Sequence, residues 1–141
     1  MPSTALMFAE PVTVLETGPY DKLVLRSRGD TLDVDHIISR GALNILIKNK
    51  NPRLTLKQIK QMSDRGPAIV IPAELHKRYS ETYKGRNTQE RREADARNPE
   101  AAINSDLDAL MPGLLEWGLT EHEIQEARKQ LLENFKSGGW K

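Results

Sequence analysis

Ala68-Ile69-Val70-Ile71-Pro72-Ala73-Glu74-Leu75-His76 is the stretch on which the fold turns. Four consecutive apolar residues rich in β-branching predict a compact buried strand. Pro72, with its fixed φ and no N–H, suits the first position of a helix. The chain is therefore expected to pass directly from strand into a helix running from Ala73 to about Thr82, with His76 one turn in. Upstream, Leu32-Asp33-Val34-Asp35-His36-Ile37-Ile38 predicts a second strand. Its period of two places Asp33, Asp35 and Ile37 on one face and Val34, His36 and Ile38 on the other. Leu23-Val24-Leu25, ahead of an Arg28-Gly29-Asp30 turn, predicts the other arm of a hairpin with it. Residues 1–19, ending at Gly18-Pro19, read as an irregular arm or an edge strand.

The remaining elements are helical. Residues 41–48 suit a short helix, and Pro52 marks the loop that follows. Thr55 with Gln58 forms a capping box for a helix over Leu56–Ser63, whose Leu56, Ile59 and Met62 fall at helical spacing. Thr88 caps a polar helix reaching Arg97. Asn98-Pro99-Glu100 supplies a cap, a proline at the first position and an acidic first turn for the next helix. Thr120 with Glu123 opens the last helix, and its Ile124, Ala127, Leu131, Leu132 and Phe135 form one apolar stripe ended by Gly138-Gly139. The fold class expected is α+β, mostly helical, with a small β-hairpin plus helix and a C-terminal helical tail. The expected organisation is one domain over residues 1–141, with the arm at 1–19, the core with its basic face at 20–92 and a helical scaffold at 93–141.

Composition removes whole classes of function. The chain has 141 residues, no cysteine and three histidines, His36, His76 and His122. Without cysteine there is no disulfide, thiolate nucleophile, iron–sulfur cluster or cysteine-ligated zinc. No apolar run approaches the ~18 residues of a membrane span, and the N-terminus lacks the basic-then-apolar layout of a signal peptide. The formal charge of +1 conceals a strong asymmetry: residues 1–35 carry net −3, residues 36–92 net +9 and residues 93–141 net −5. Between Asp35 and Asp64 there is no acid, while Arg40, Lys48, Lys50, Arg53, Lys57 and Lys60 all fall there. A basic middle between acidic ends suggests a face for a polyanion, and both His36 and His76 lie in it. A solvated lysine-rich helix pair is the plainer alternative.

Asp35-His36 at a strand end and His76 in the first turn of a helix are the residues that carry chemistry. A strand, loop, strand and helix can bring two strand-end side chains against one helix side chain. Asp35 and His76 then hold one divalent ion, while His36, on the other face of its strand, takes a proton from water for attack on phosphorus. Asp33 shares the face of Asp35 and either joins the ion or pairs with a neighbouring base. Tyr79 and Tyr83 either stack on a nucleobase or pack against the protein. His122, between Glu121 and Glu123 in a helix's first turn, reads as structural.

Asp35-His36-Ile37 resembles the signature of HNH, or His-Me finger (ββα-metal), nucleases. The wider layout of Gly18-Pro19-Tyr20, Gly29-Asp30-x-Leu32, Ile71-Pro72-x-x-Leu75-His76 and Tyr83-x-Gly85-Arg86-Asn87 is similar to nuclease toxin domains of bacterial polymorphic toxins, the contact-dependent inhibition, Rhs and type VI effectors. The resemblance spans residues 18–90. It implies a ββα-metal finger with His36 as general base, Asp35 and His76 as metal ligands, and Arg86 and Asn87 to contact phosphate or orient the base. Arg40, just past the strand, either touches phosphate or is a surface arginine, and Lys77 on the His76 helix is a further candidate for substrate binding. The resemblance implies Mg²⁺ as cofactor, with Mn²⁺, Ni²⁺ or Zn²⁺ as alternatives, and DNA as substrate. It implies as partners a cognate immunity protein and a larger secreted carrier or secretion apparatus, with no membrane, and action in the cytoplasm of a target cell. Where the family has an asparagine at the second strand, this chain has Arg65-Gly66-Pro67-Ala68, and Ser80 stands one turn after His76. An RNase toxin, a non-catalytic nucleic-acid-binding module and an adaptor working through its acidic tail are the competing readings.

Overall fold

A computed structural model of the chain describes residues 10–27 and 31–140. Its strands are β1 (Thr17–Pro19), β2 (Leu32–His36) and β3 (Pro67–Pro72). Its helices are α1 (Tyr20–Arg26), α2 (Arg40–Lys50), α3 (Leu56–Ser63), α4 (Ala73–Tyr79), α5 (Gln89–Arg97), α6 (Pro99–Trp117) and α7 (Glu121–Ser137). A single 3₁₀ turn occupies Lys84–Arg86. The class is α+β.

The all-apolar β3 is the middle strand, antiparallel to β1 on one side and β2 on the other. Every residue of β3 is buried, as a central strand covered on both faces requires. Its odd positions, Ile69 and Ile71, join the main core with Ile103, Leu107, Leu110 and Leu114 of α6 and Ile124, Leu131 and Phe135 of α7. Its even positions, Ala68 and Val70, join a smaller core with Val12 and Leu23. The helical tail therefore packs on one face of the sheet, and α1 on the other. The register sets Asp35 opposite Ile69 and His36 opposite Ala68. Directly opposed residues share a face, so Asp35 faces the α4–α6–α7 side and His36 the α1 side.

Most caps form as the sequence predicts. Thr55 with Gln58 and Thr120 with Glu123 make complete capping boxes, Thr88 accepts from the Arg91 amide, and Asn98 accepts from the Ala101 amide ahead of Pro99. Three expectations are corrected. Leu23-Val24-Leu25 is helix, not strand. The first amides of α1 find their acceptors across the fold, Tyr20 N on the Gly66 carbonyl at 2.9 Å and Asp21 N on the Asp64 carbonyl at 2.8 Å. The antiparallel partner of β2 is accordingly β3, across the α2–α3 helix pair, and the expected Arg28-Gly29-Asp30 turn lies outside the described residues. Strand β2 stops at His36 rather than Ile38, because Ser39 turns out to cap α2. Helix α4 starts at Ala73 with Pro72 as its cap residue and ends at Tyr79, short of Thr82. Ser80 turns extended there, and the Arg86 guanidinium takes up the Ser80 carbonyl at 2.7 Å and that of Lys77.

Candidate active site

Edge strand β2 ends in a cleft of about 380 Å³, also bounded by the start of α2, by α4 and by the 82–92 segment. Because the cleft wraps the strand's edge, Asp35 and His36 both line it although they belong to opposite faces. His36 is 8% exposed. Its ring stacks on Tyr20 with centroids 3.9 Å apart and planes 23° apart. Its Nε2 lies 3.0 Å from the Ser63 carbonyl oxygen. A carbonyl can only accept, so Nε2 carries the proton. Nδ1 is then the bare nitrogen of the neutral ring, and it has no hydrogen-bond partner among the described residues. Burial, above all, lowers the pKa of His36 to about 4; the Ser63 bond opposes the fall and the Arg40 charge adds to it.

His76 enters from α4 between two carboxylates. Its Nδ1 is 3.1 Å from Asp33 Oδ2 and its Nε2 is 3.3 Å from Asp35 Oδ1. Burial works against a charged ring here, but Asp35 and then Asp33 outweigh it and raise the pKa above the ordinary imidazole value. The Asp35–His76 pair suits a hard divalent cation. In an octahedral Mg²⁺ shell with bonds of about 2.1 Å, adjacent ligand atoms lie about 3 Å apart, close to the 3.3 Å observed. Asp33 behind Nδ1 is the carboxylate that commonly orients a ligating imidazole. Among the described residues no group of three or more His, Cys, Asp or Glu is arranged to hold a metal ion together. A cation here would keep several waters, the habit of Mg²⁺ rather than of structural zinc.

The opposite wall is cationic. Arg40, Lys84 and Arg92 line the cleft with Ser39 and Asn87. Asn87 Nδ2 donates to Ser39 Oγ at 3.2 Å, and its Oδ1 is buried without a partner. Arg92 donates to the Asn87 carbonyl and, at 2.8 Å, to Gln89 Oε1. Arg40 pairs with Asp64 at 2.6 Å and lies over the Tyr20 ring at 5.4 Å. A deeper ionic node holds this wall in place. Arg91 reaches Asp95 at 2.9 Å, Asp106 at 3.1 Å and Glu81 at 3.2 Å, and Ser105 of α6 donates to Glu81 at 2.6 Å. Asp106 is 4% exposed; burial first, then the charges of Asp35 and Asp95, push its pKa well up.

The structure thus brings together Asp35, His36, His76, Asn87 and Arg40 of the expected site residues. Arg86 spends its guanidinium on backbone carbonyls, and exposed Lys77 does not line the cleft. Tyr79 packs against Gly113 of α6, and Tyr83 sets its edge on His76 at 5.0 Å. His122 is exposed on α7. Lys84, Arg92 and Tyr20 escaped the sequence reading as cleft residues. Gly41, in the first turn of α2, was the available sign of Arg92, since a Cβ there would lie 2.1 Å from Arg92 Cδ.

A neutral buried imidazole, a carboxylate–imidazole pair with a second carboxylate behind it, and a cationic wall are equipment for hydrolysing a phosphate ester. The chain is 31% identical over 132 residues to the Deoxyribonuclease CdiA of Dickeya dadantii (strain 3937), a match covering 92% of this chain and 4% of that protein. No family model matches the chain, and no solved structure does.

Proposed function

We propose that this chain is the DNA-cleaving toxin domain of a larger secreted protein, a metal-dependent endonuclease with His36 as general base. The observation that carries the reading is the tautomer of His36, fixed with Nε2–H on the Ser63 carbonyl and the ring kept neutral by burial. Nδ1 is the proton acceptor. The likeness to a deoxyribonuclease supports DNA as the substrate, and the small share of that protein matched supports a domain carried within a longer chain.

In this reading the scissile phosphate sits between the β2 end and the cationic wall. Arg40, Lys84 and Arg92 hold its oxygens, and charge-assisted bonds of this kind orient as well as attract. Water bonds to phosphorus as its proton passes to His36 Nδ1, and the bond from phosphorus to the departing sugar oxygen breaks. Tyr20 and Ser63 hold the ring so that Nδ1 does not turn away. Asp35 and His76 would hold a divalent cation, with Asp33 fixing His76 through Nδ1. When bound, that cation supplies positive charge to the phosphate and to the departing oxygen. A domain of this kind requires an immunity protein in the cell that makes it.

The test is nicking of supercoiled plasmid by the purified protein. Open-circular product that forms in Mg²⁺, does not form with EDTA present and forms again when excess Mg²⁺ is restored is the expected result. Intact plasmid at every metal concentration, from folded protein, sinks the reading.

A further inference from the structure

The basic run that the sequence analysis singled out folds into the packed helices α2 and α3, and only its Arg40 end belongs to the cleft. Asp64 after α3 binds Arg40 at 2.6 Å and Lys60 at 3.2 Å. Lys60 in turn shares with Lys48 a groove of about 190 Å³ between α2 and α3, floored by Ile45 and Ile59. Arg40 lines the cleft, Asp64 bridges it to Lys60, and Lys60 shares the helix groove with Lys48, so the three cations run from the cleft to the seam. Lys48 is exposed and makes no ion pair among the described residues, and the Lys60 side chain is 71% exposed. Eight residues of α2 separate Arg40 from Lys48, about 12 Å at 1.5 Å per residue. Successive phosphates of a DNA strand advance about 3.4 Å along the axis, so the seam matches three to four nucleotides.

We propose that this α2–α3 seam is a second contact surface for the nucleic-acid backbone, leading the strand out of the cleft over roughly three to four nucleotides. The inference takes its starting point at Arg40 from the hydrolytic reading above. Lys48 and Lys60 present exposed ammonium groups along it, the kind of contact that neutralises phosphates without reading bases. A strand engaged there and in the cleft at once is anchored at two points, and DNA too short to reach Lys48 loses the second anchor.

Binding of a labelled duplex of about two helical turns, followed by anisotropy in EDTA between about 50 and 200 mM salt, tests the seam without cleavage. The double variant K48Q/K60Q is expected to make the slope of log K against log salt shallower by about two. K48R/K60R is expected to keep the wild-type slope, which separates lost charge from lost fold, and K129Q, on the distant α7, also keeps it. A wild-type slope in K48Q/K60Q overturns the proposal and leaves the seam to a protein partner with an acidic face. A loss of about one in K129Q, half that of the double variant, overturns it too, since overall charge would then be the cause. Plasmid nicking in Mg²⁺ is run beside it. A protein that shows the slope change and never nicks retains the seam and loses the hydrolytic reading; one that nicks with its slope unmoved does the reverse.

Discussion

Replacing His36 by alanine separates chemistry from folding, because the two losses differ in scale. The ring is 8% exposed, stacked on Tyr20 and bonded to the Ser63 carbonyl. Removing it opens a small cavity and strips a buried carbonyl of its partner, together about 3 kcal/mol. A domain of this size starts with about 5–15 kcal/mol. From about 7, some 4 would remain, about three decades in the folding constant at 1.36 kcal/mol each. Unfolded protein then amounts to about 0.1%, too little to move an initial rate. Loss of a general base costs about 10²–10⁴ in rate. His36→Ala is therefore expected to lower plasmid nicking by at least about 10² while far-ultraviolet circular dichroism at 25 °C stays that of the wild type. Nicking within about tenfold of wild type from such folded protein would refute His36 as the base, since no repacking around an alanine restores a proton acceptor at that position.

Other perturbations read other parts of the site. Asp33→Asn keeps the shape but loses the carboxylate on His76 Nδ1, so the Mg²⁺ concentration for half-maximal nicking is expected to rise by about 10- to 100-fold; an unchanged metal requirement removes Asp33 from that role. Arg86→Ala is expected to lower the melting temperature by several degrees (about 1–2 kcal/mol) without altering the salt dependence of DNA binding, because Arg86 serves carbonyls. Lys84→Ala, from the cleft wall, is expected to do the opposite, leaving the melting temperature alone and flattening the salt slope by about one. Glu16 is held below the usual carboxylate range chiefly by its bond to Arg26, which reaches Oε1 at 3.0 Å. A depressed native pKa stabilises above the unfolded value of about 4.3 and is lost as pH falls through the native one. Glu16→Gln should then melt below wild type at pH 7, with the gap narrowing as pH falls below the unfolded value of about 4.3, measured by thermal denaturation.

What was legible in the sequence was what short-range chemistry dictates. Ala68–Ile71 is legible as a buried strand from its apolar run, its central place in the sheet only from the structure, and period two alone placed Asp35 and His36 on opposite faces. Each polar cap lay within three or four residues of the amide it satisfies. The misreadings came where the partner is remote. Helix α1 has seven residues and one buried side chain, Leu23, so it shows no periodicity, and its first amides are satisfied by carbonyls over forty positions on. The end of α4 is set by Arg86, after a turn that no local rule anticipates. The cleft was found in part for the same reason. Asp35, His36 and His76 are marked by residue type, whereas which cations face them depends on how residues 80–92 fold back, and that is decided by Arg91 on three carboxylates.

The Arg91 node sets how the cleft receives its ligand. Lys84 and Asn87 ride on a segment with little regular structure, which alone would sample many shapes. Glu81 before it and Arg91 after it are tied to each other and, through Ser105 and Asp106, to the longest helix of the scaffold. The segment's ordering entropy is therefore spent when the chain folds and is not charged again to association. On the reading proposed above, a wall pinned in this way makes capture fast and tolerant of sequence, because its cations are in place before a phosphate backbone arrives.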